Sequence, residues 1–505
     1  MIGRRAKIVC TLGPATRAPE LLAALLEAGM DVARLNFSHG THEEHAEAIA
    51  QVRRLSAELG RPVAVLQDLQ GPKVRVGTFP GGAVELQAGS TFVLTPQPVL
   101  GEEGRAAVSY PRLAADVREG DDVLLSDGLL RLQVTGIAGE DVVCRVVDGG
   151  RLRDRAGVNV PGSELGLPSL TEKDREDLAF GVAHEVDYVA LSFVRRGRDL
   201  SELRGALAAA GGRAAVVAKL EKPQAIDSLD EILALADAVM IARGDLGVEV
   251  SPERVPSLQK TIIRRAAEAR VPVITATQML ESMVTARRPT RAEASDVANA
   301  VFDGTDAVML SGETSVGQHP VEAVRMMDRI VREAESHLTY APERRRLPRG
   351  VRLSFADAIA DAAGRAAAEL DAAAIVAFTQ SGFTARLISK HRPATPIFAY
   401  TPHPHVLRRL CLYWGVTPRS AALAHPIEPV FAQVDADLRR EGMVEAGDTL
   451  VFLAGWPGLQ TGTTNTMRLH RAGDPLGGAS RDPALHGPPP GAGPTGLQGT
   501  ARATA

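Results

Sequence analysis

Short apolar runs recur at 7–12, 32–37, 63–69, 188–193, 215–221, 238–243, 272–277 and 307–311. The stretches between most of them are rich in Ala, Leu, Glu and Arg, with apolar residues at helical spacing. The pattern predicts strands alternating with amphipathic helices. Each run gives way to polar side chains: Thr11, Asn36 and Ser38, Asp68, Ser192, Lys219 and Glu221, Asp245, Thr277, and Ser311 with Glu313. Eight strands, each followed by a helix, with polar groups at their carboxyl ends, predict an α/β fold of the (β/α)8 TIM-barrel type. Its active site lies on the C-terminal face. An open doubly wound sheet ends its strands alike; the count of eight favours the barrel.

One interval breaks the rhythm, because 124 residues separate Asp68 from Ser192. Residues 72–165 hold the surplus as short alternating strands such as 123–125 and 142–146, entered through Gly71-Pro72 and left through Pro161-Gly162. They predict an inserted all-β lid, a small β-barrel hinged on two thin connections; a static decoration is the plainer alternative. The barrel then takes residues 1–71 and 166–340. A basic, Pro-containing linker, 344–352, leads to a C-terminal α/β unit at 350–473. This unit has a helix at 355–370 and strands at 373–378, 397–400 and 450–454. The Pro/Gly-rich tail 474–505 has too few large apolar residues to build a core and is expected to be disordered.

Composition narrows the function classes. A formal charge of −4 over 505 residues gives no bulk attraction to nucleic acid or anionic membrane. With aromatics at 4%, base-stacking platforms are not expected. Cys10, Cys144 and Cys411 stand far apart, which argues against a disulfide framework or a cysteine zinc site. No apolar run reaches the roughly 18 residues of a membrane span. The start reads as no signal peptide, so a cytoplasmic location is expected.

The chemistry concentrates at the strand ends. Lys219 and Glu221 share one face of a strand by the period-two rule. Asp245, within Arg243-Gly244-Asp245-Leu246-Gly247, ends the next strand. Two carboxylates on neighbouring strands suit one divalent ion with open positions for substrate, and the Gly244 backbone permits close approach to a ligand. A structural salt bridge among Lys219, Glu221 and Asp245 is the alternative. Arg34, Arg75 and Thr277 add groups suited to phosphate. Together they suggest phosphoryl transfer. No P-loop or kinase Gly-rich loop is present, so a nucleotide needs another cradle.

Several blocks, in order from residue 4 to residue 472, resemble the pyruvate kinase family. They are 7–14 (KIVCTLGP), 34–40 (RLNFSHG), 242–249 (ARGDLGVE), 274–283 (ITATQMLESM), 288–293 (RPTRAE), 296–299 (DVAN) and 303–314 (DGTDAVMLSGET). The resemblance implies a barrel with an inserted β lid and a C-terminal regulatory domain. It implies phosphoryl transfer from phosphoenolpyruvate to ADP, giving pyruvate and ATP. Glu221 and Asp245 would ligate Mg2+ or Mn2+, and Lys219 would stabilise the phosphoryl group in transit. Arg34 and Arg75 would contact the transferring phosphate and the nucleotide phosphates. The Gly244 and Asp245 amides, with Thr277, would hold the substrate carboxylate and methylene end. Ser311 and Glu313 would support the waters that protonate enolpyruvate. Asn36 and His39 fall near the nucleotide and Lys173 reaches toward its phosphates; His39 reads equally as a capping or packing residue.

One departure carries a physical consequence. Many members place a Thr-Lys pair and a Glu where this chain has 68–73 (DLQGPK), and the Glu version goes with potassium activation. Asn36, Ser38 and Asp68 remain from that cation pocket, whereas Leu69 lacks the Thr oxygen and Lys73 brings a tethered ammonium. Potassium is therefore not expected to be required. In the C-terminal unit, Thr379, Ser381, Gly382 and Thr384 lie between a strand and a helix, and suit a phosphate. A second loop of that character covers 455–458 and 461–465. The resemblance implies a sugar-phosphate or AMP effector there, and a homotetramer. A Mg2+-dependent barrel lyase or aldolase would need no ADP. A catalytically silent scaffold would have lost Lys219, Glu221 or Asp245.

Overall fold

The computed structural model describes residues 3–163, 165–338, 354–423, 427–455 and 463–475. The linker 344–352, all but the first two residues of the tail 474–505, and most of the 455–462 loop lie outside the described residues.

Eight strands close into a parallel barrel in chain order. They are β1 (Lys7–Thr11), β2 (Val32–Asn36), β3 (Ala64–Asp68), β4 (Tyr188–Leu191), β5 (Ala215–Leu220), β6 (Ala238–Ala242), β7 (Val273–Ala276) and β8 (Ala307–Leu310). β8 returns to pair with β1, Lys7 standing opposite Ala307. Successive side chains take opposite sides. Val9, Val32, Leu66, Tyr188, Val217, Met240, Ile274 and Met309 join one buried cluster. Ile8, Ala33, Val65, Val189, Val216, Val239, Val273 and Val308 join the other, with the surrounding helices. Burial on both sides explains why the strands read as continuous apolar runs.

At the amino-terminal rim an aspartate stands immediately before every even strand: Asp31, Asp187, Asp237 and Asp306. Each accepts a backbone N–H from the preceding odd strand, from Ile8 (2.9 Å), Val65 (2.8 Å), Val216 (2.8 Å) and Val273 (2.7 Å) respectively. Each also takes basic partners: Arg4 and Arg61 on Asp31, Arg53 and Arg408 on Asp187, Arg204 on Asp237, and Lys390 and Arg392 on Asp306. Charge-assisted hydrogen bonds of this kind set the register between neighbouring strands.

Between β3 and β4 the chain forms a six-stranded sheet and a separate two-stranded sheet. They enclose their own core of Phe92, Leu94, Val123, Leu132, Val142 and Val146. The segment expected as a small β-barrel therefore holds two sheets, with one short helix at Leu113–Asp116. The C-terminal unit contains β9 (Ala374–Phe378), β10 (Ile397–Thr401), β11 (Val416–Ser420), β12 (Thr449–Ala454) and β13 (Thr466–Arg471). Their order is β11-β10-β9-β12-β13, and only β13 runs antiparallel. This unit meets the barrel floor through Lys390, Arg392 and Arg408, opposite the strand carboxyl ends. No helix among the described residues is long and apolar enough to cross a membrane.

Burial pushes the Asp31 carboxyl up, but Arg4, Lys7 and Arg61 outweigh it and hold its pKa down at about 2, against 3.8 ordinarily. The stability this contributes is complete above 3.8 and is lost as pH falls through 2. Asp31→Asn should lower the unfolding free energy at neutral pH by about 2 kcal/mol, with the deficit shrinking under acid. Urea unfolding across that range checks it; a deficit independent of pH would contradict it.

Candidate active site

Lys219, near the end of β5, points into a ring of polar groups supplied by neighbouring strands. Its ammonium lies 2.9 Å from Glu221 and 3.2 Å from Asp68. It donates to the Ser192 hydroxyl at 2.8 Å, and Ser192 donates onward to the Leu69 carbonyl at 2.6 Å. Burial lowers the Lys219 pKa, but the Asp68 and Glu221 carboxylates outweigh it, and the net shift is upward. Burial likewise raises Asp68, but Lys219 and Arg34 reverse it and hold that carboxyl down. Arg34 reaches the same ring from β2, 2.7 Å from Asp68 and 2.9 Å from the Thr11 hydroxyl. Two cations and a carboxylate thus meet in a largely buried ring.

Glu221 accepts the Phe193 N–H at 2.7 Å. Burial raises its pKa, Lys219 opposes, and Asp245 adds to the rise, leaving the carboxyl above its usual range. Two carboxylates close enough to perturb each other in a buried site favour a cation between them. Among the described residues no group of three or more His, Cys, Asp or Glu forms a metal cage. The pair therefore suits an ion that completes its shell with substrate oxygens.

Asp245 sits on the short helix Arg243–Glu249 after β6. The Gly244 N–H donates to the Thr277 hydroxyl at 2.7 Å, and that hydroxyl donates to the Ala276 carbonyl at 2.6 Å. Thr277 and Gln278 have φ values of 70° and 53°, an unfavourable conformation for a β-branched residue. Arg243 holds this turn, donating to the Thr277 carbonyl at 2.8 Å while paired with Asp296 at 2.7 Å. Glu313, fully buried, accepts the N–H groups of Ser311 (2.7 Å) and Leu280 (3.0 Å).

Other expected residues stand apart from this ring. The Arg75 guanidinium lies in the lid, donating to the Arg155 carbonyl at 2.9 Å. Lys73 lines the cleft between lid and barrel with Asn159, Phe193, Lys222 and Asp245. Leu69 is buried in the core, so the pocket of Asn36, Ser38 and Asp68 gains no oxygen from its side chain; Ser38 donates its N–H to the Asn36 side chain at 3.2 Å. Lys173 is paired with Asp177 at 2.6 Å and donates to the Phe37 carbonyl at 2.9 Å. His39 and Asn36 line a groove of about 390 Å³ with Thr11, Pro14 and Glu44. In the C-terminal unit, Gly382 (φ 88°) caps the helix Phe383–Lys390 and donates its N–H to Thr379 at 2.8 Å, Ser381 is exposed, and Thr384 bonds Thr464 at 2.6 Å.

One contact bordering the site escaped sequence reasoning. Glu249, buried at the end of the Asp245 helix, pairs with Lys222 and accepts the lid's Asn159 side-chain N–H at 2.8 Å. Lys222 in turn stands over the Phe193 ring, 5.7 Å from its centre. The clasp joins the lid to the segments carrying both Glu221 and Asp245. The only sequence signal was Glu249 four residues beyond Asp245, on one helical face.

Residues 3–324 match the model of the pyruvate kinase barrel domain, and residues 357–470 that of the pyruvate kinase alpha/beta domain. A pyruvate kinase of Mycobacterium tuberculosis is 48% identical over 93% of this chain and 99% of its own. One of Geobacillus stearothermophilus is 46% identical over 94% of this chain and 81% of its own. A crystal structure of a pyruvate kinase from Cryptosporidium parvum superposes with a TM-score of 0.88 at 37% identity, covering 93% of this chain and 96% of that one.

Asn159→Ala removes the lid's share of the clasp. Amide exchange in the lid segment 122–160 should quicken by about tenfold, the equivalent of one lost hydrogen bond to a charged group, with barrel exchange unchanged. Unaltered lid exchange would show that the contact does not restrain it.

Proposed function

The chain belongs to the pyruvate kinase family, whose reaction passes a phosphoryl group from phosphoenolpyruvate to ADP, and we propose that the ring around Lys219 carries out that transfer. The observation that carries the proposal is the placement of Arg34, Asp68, Lys219 and Glu221 in one buried contact network at the barrel mouth, within electrostatic reach of Asp245.

Transfer of a phosphoryl group needs little covalent chemistry from the protein. It needs in-line positioning and neutralisation of charge on the equatorial oxygens. Lys219 meets the second need, because its two carboxylate partners keep it protonated and fix its direction. Arg34, locked by Asp68 and Thr11, presents a second fixed cation to the phosphate. A divalent ion, magnesium or manganese, held by Glu221 and Asp245, supplies neutralisation and orients substrate oxygens when bound. The Gly244–Asp245 amides and Thr277 hold the carboxylate and methylene end, with Arg243 keeping the turn in shape. Ser311 and Glu313 support the waters that protonate the enol at carbon. Arg75 and Lys173 reach the nucleotide from the lid and from the helix Glu172–Ala183, and the groove beside His39 and Asn36 receives it.

The regulatory reading draws support from topology. The loop Thr379–Thr384 follows β9, and the chain continues to β10 on one side and places β12 on the other. Ligands of open α/β sheets bind at such switch points. A sugar phosphate or AMP held by Thr379, Ser381, Gly382 and Thr384 is the effector of this proposal. Lid, barrel and regulatory unit, a cytoplasmic location and a homotetramer complete it.

Lys73 replaces the monovalent ion in the same proposal. Its side chain lines the cleft that Asp245 also lines, and Leu69 offers no oxygen. With Mg2+ and ADP, turnover of phosphoenolpyruvate should be within a few-fold in tetramethylammonium and in potassium. A fall of about tenfold or more without potassium would overturn the Lys73 assignment. Pyruvate formation without ADP would overturn the reaction itself.

A further inference from the structure

A buried carboxylate that the catalytic ring does not use joins two helices beside the turn that follows β2. Asp177, on the helix Glu172–Ala183, is almost wholly buried. One of its oxygens lies 2.7 Å from His42 Nε2, at the start of the helix His42–Glu58, and the other 2.6 Å from the Lys173 ammonium. A carboxylate can only accept, so the His42 Nε2 carries the proton. Lys173 stands four residues before Asp177, which brings the two side chains onto one helical face. Its ammonium also donates to the Phe37 carbonyl at 2.9 Å. Two of its three N–H groups are thus committed. The side chain is about half exposed, which leaves the third open to a ligand.

The turn itself is gripped from both sides. The His45 ring stacks on Phe37 with centres 4.2 Å apart, and its Nε2 lies 3.0 Å from the His39 carbonyl. Phe180, three residues beyond Asp177, stacks on His42 at 4.6 Å and tilts against Phe37 at 5.6 Å. Asn36 and His39, which line the groove, therefore flank a residue whose carbonyl and ring are both held by neighbouring helices. A buried carboxylate with one partner is costly. Two donors, one on each oxygen, offset that cost and fix the plane of the group.

We infer that Asp177 is a positioning residue for the nucleotide: with His42 it aims the Lys173 ammonium and, through the Phe37 carbonyl, ties that lysine to the Asn36–His39 turn, an assignment that rests on the reading of Lys173 and the groove as nucleotide contacts. An unrestrained lysine is a point charge on a flexible four-carbon stem. Held by two acceptors, it offers its remaining N–H at one place, and less side-chain freedom is lost when a diphosphate binds. Asp177 does this without touching the nucleotide. The groups proposed for phosphoenolpyruvate, Arg34, Lys219, Gly244 and Thr277, take their bonds from other partners.

Steady-state kinetics of Asp177→Asn, Lys173→Met and the double variant, with each substrate varied while the other is saturating, test the inference. Asp177→Asn should raise the KM for ADP by about tenfold, with kcat and the KM for phosphoenolpyruvate within about twofold. A general loosening of the fold would not give that split. Lys173→Met should raise the KM for ADP at least as much, and adding Asp177→Asn should raise it no further, because the carboxylate acts through the lysine. His42→Phe keeps a ring on Phe180 and removes the donor; a rise of about threefold is expected, likewise absent in the Lys173→Met background. This variant makes the same comparisons should Asp177→Asn fail to fold. A raised KM for ADP in Lys173→Met alone overturns the inference and spares the nucleotide role of Lys173. Additive effects in the double variants, or a KM for phosphoenolpyruvate that rises in step, also overturn it. An unchanged KM for ADP in Lys173→Met overturns that nucleotide role, and the inference with it.

Discussion

A single buried ammonium organises the mouth of this barrel. Lys219 sits between Asp68 of β3 and Glu221 just beyond β5, with Ser192 beyond the end of β4 as its third partner. An unpaired charge at this depth would be expensive to bury, and so would either carboxylate alone. Together they fix three neighbouring strand ends in one arrangement, and Arg34 extends it to β2 and β1. The same contacts that make burial tolerable keep Lys219 positively charged and aimed. Structural satisfaction and proposed catalytic preorganisation are one set of bonds.

The two rims of the barrel use charge differently. At the floor, each aspartate before an even strand is balanced by a backbone N–H and at least one arginine or lysine, which suits stability and docking of the C-terminal unit. At the mouth, Glu221 and Asp245 lack enough positive charge between them, and Thr277 is held in a strained turn by Arg243. Incomplete balance there suits the metal and substrate proposed for the mouth. This division follows the rule that barrel function gathers at the strand carboxyl ends.

The eight barrel strands were legible because each is buried on both faces and ends in, or is followed at once by, a polar residue. Of the C-terminal sheet, β9, β10 and β12 were legible for the first of these reasons. β11, which contains Pro418, and β13, with Arg468 and Arg471, are edge strands whose polar composition hides them. The floor aspartates were readable as an Asp before apolar strands, at 187–189, 237–239 and 306–308, but one such pair proves little without the barrel that aligns them. The clasp was hardly readable: Asn159, Lys222 and Glu249 meet only in three dimensions, and nothing in the sequence marks Glu249 as buried. Arg75 was singled out by its guanidinium and Lys173 by resemblance to the family, and both stand apart from Lys219, on the lid and on an outer helix.

The central claim is that Lys219 acts on the group in transit rather than on the bound substrate. Steady-state kinetics of Lys219→Met with phosphoenolpyruvate, ADP and Mg2+ separate the two roles. The account predicts a kcat lower by at least about 100-fold with the KM for phosphoenolpyruvate little changed, in a variant whose circular dichroism matches the parent. A KM raised by that factor with kcat retained would contradict it, making Lys219 a binding group and leaving the transfer to other residues.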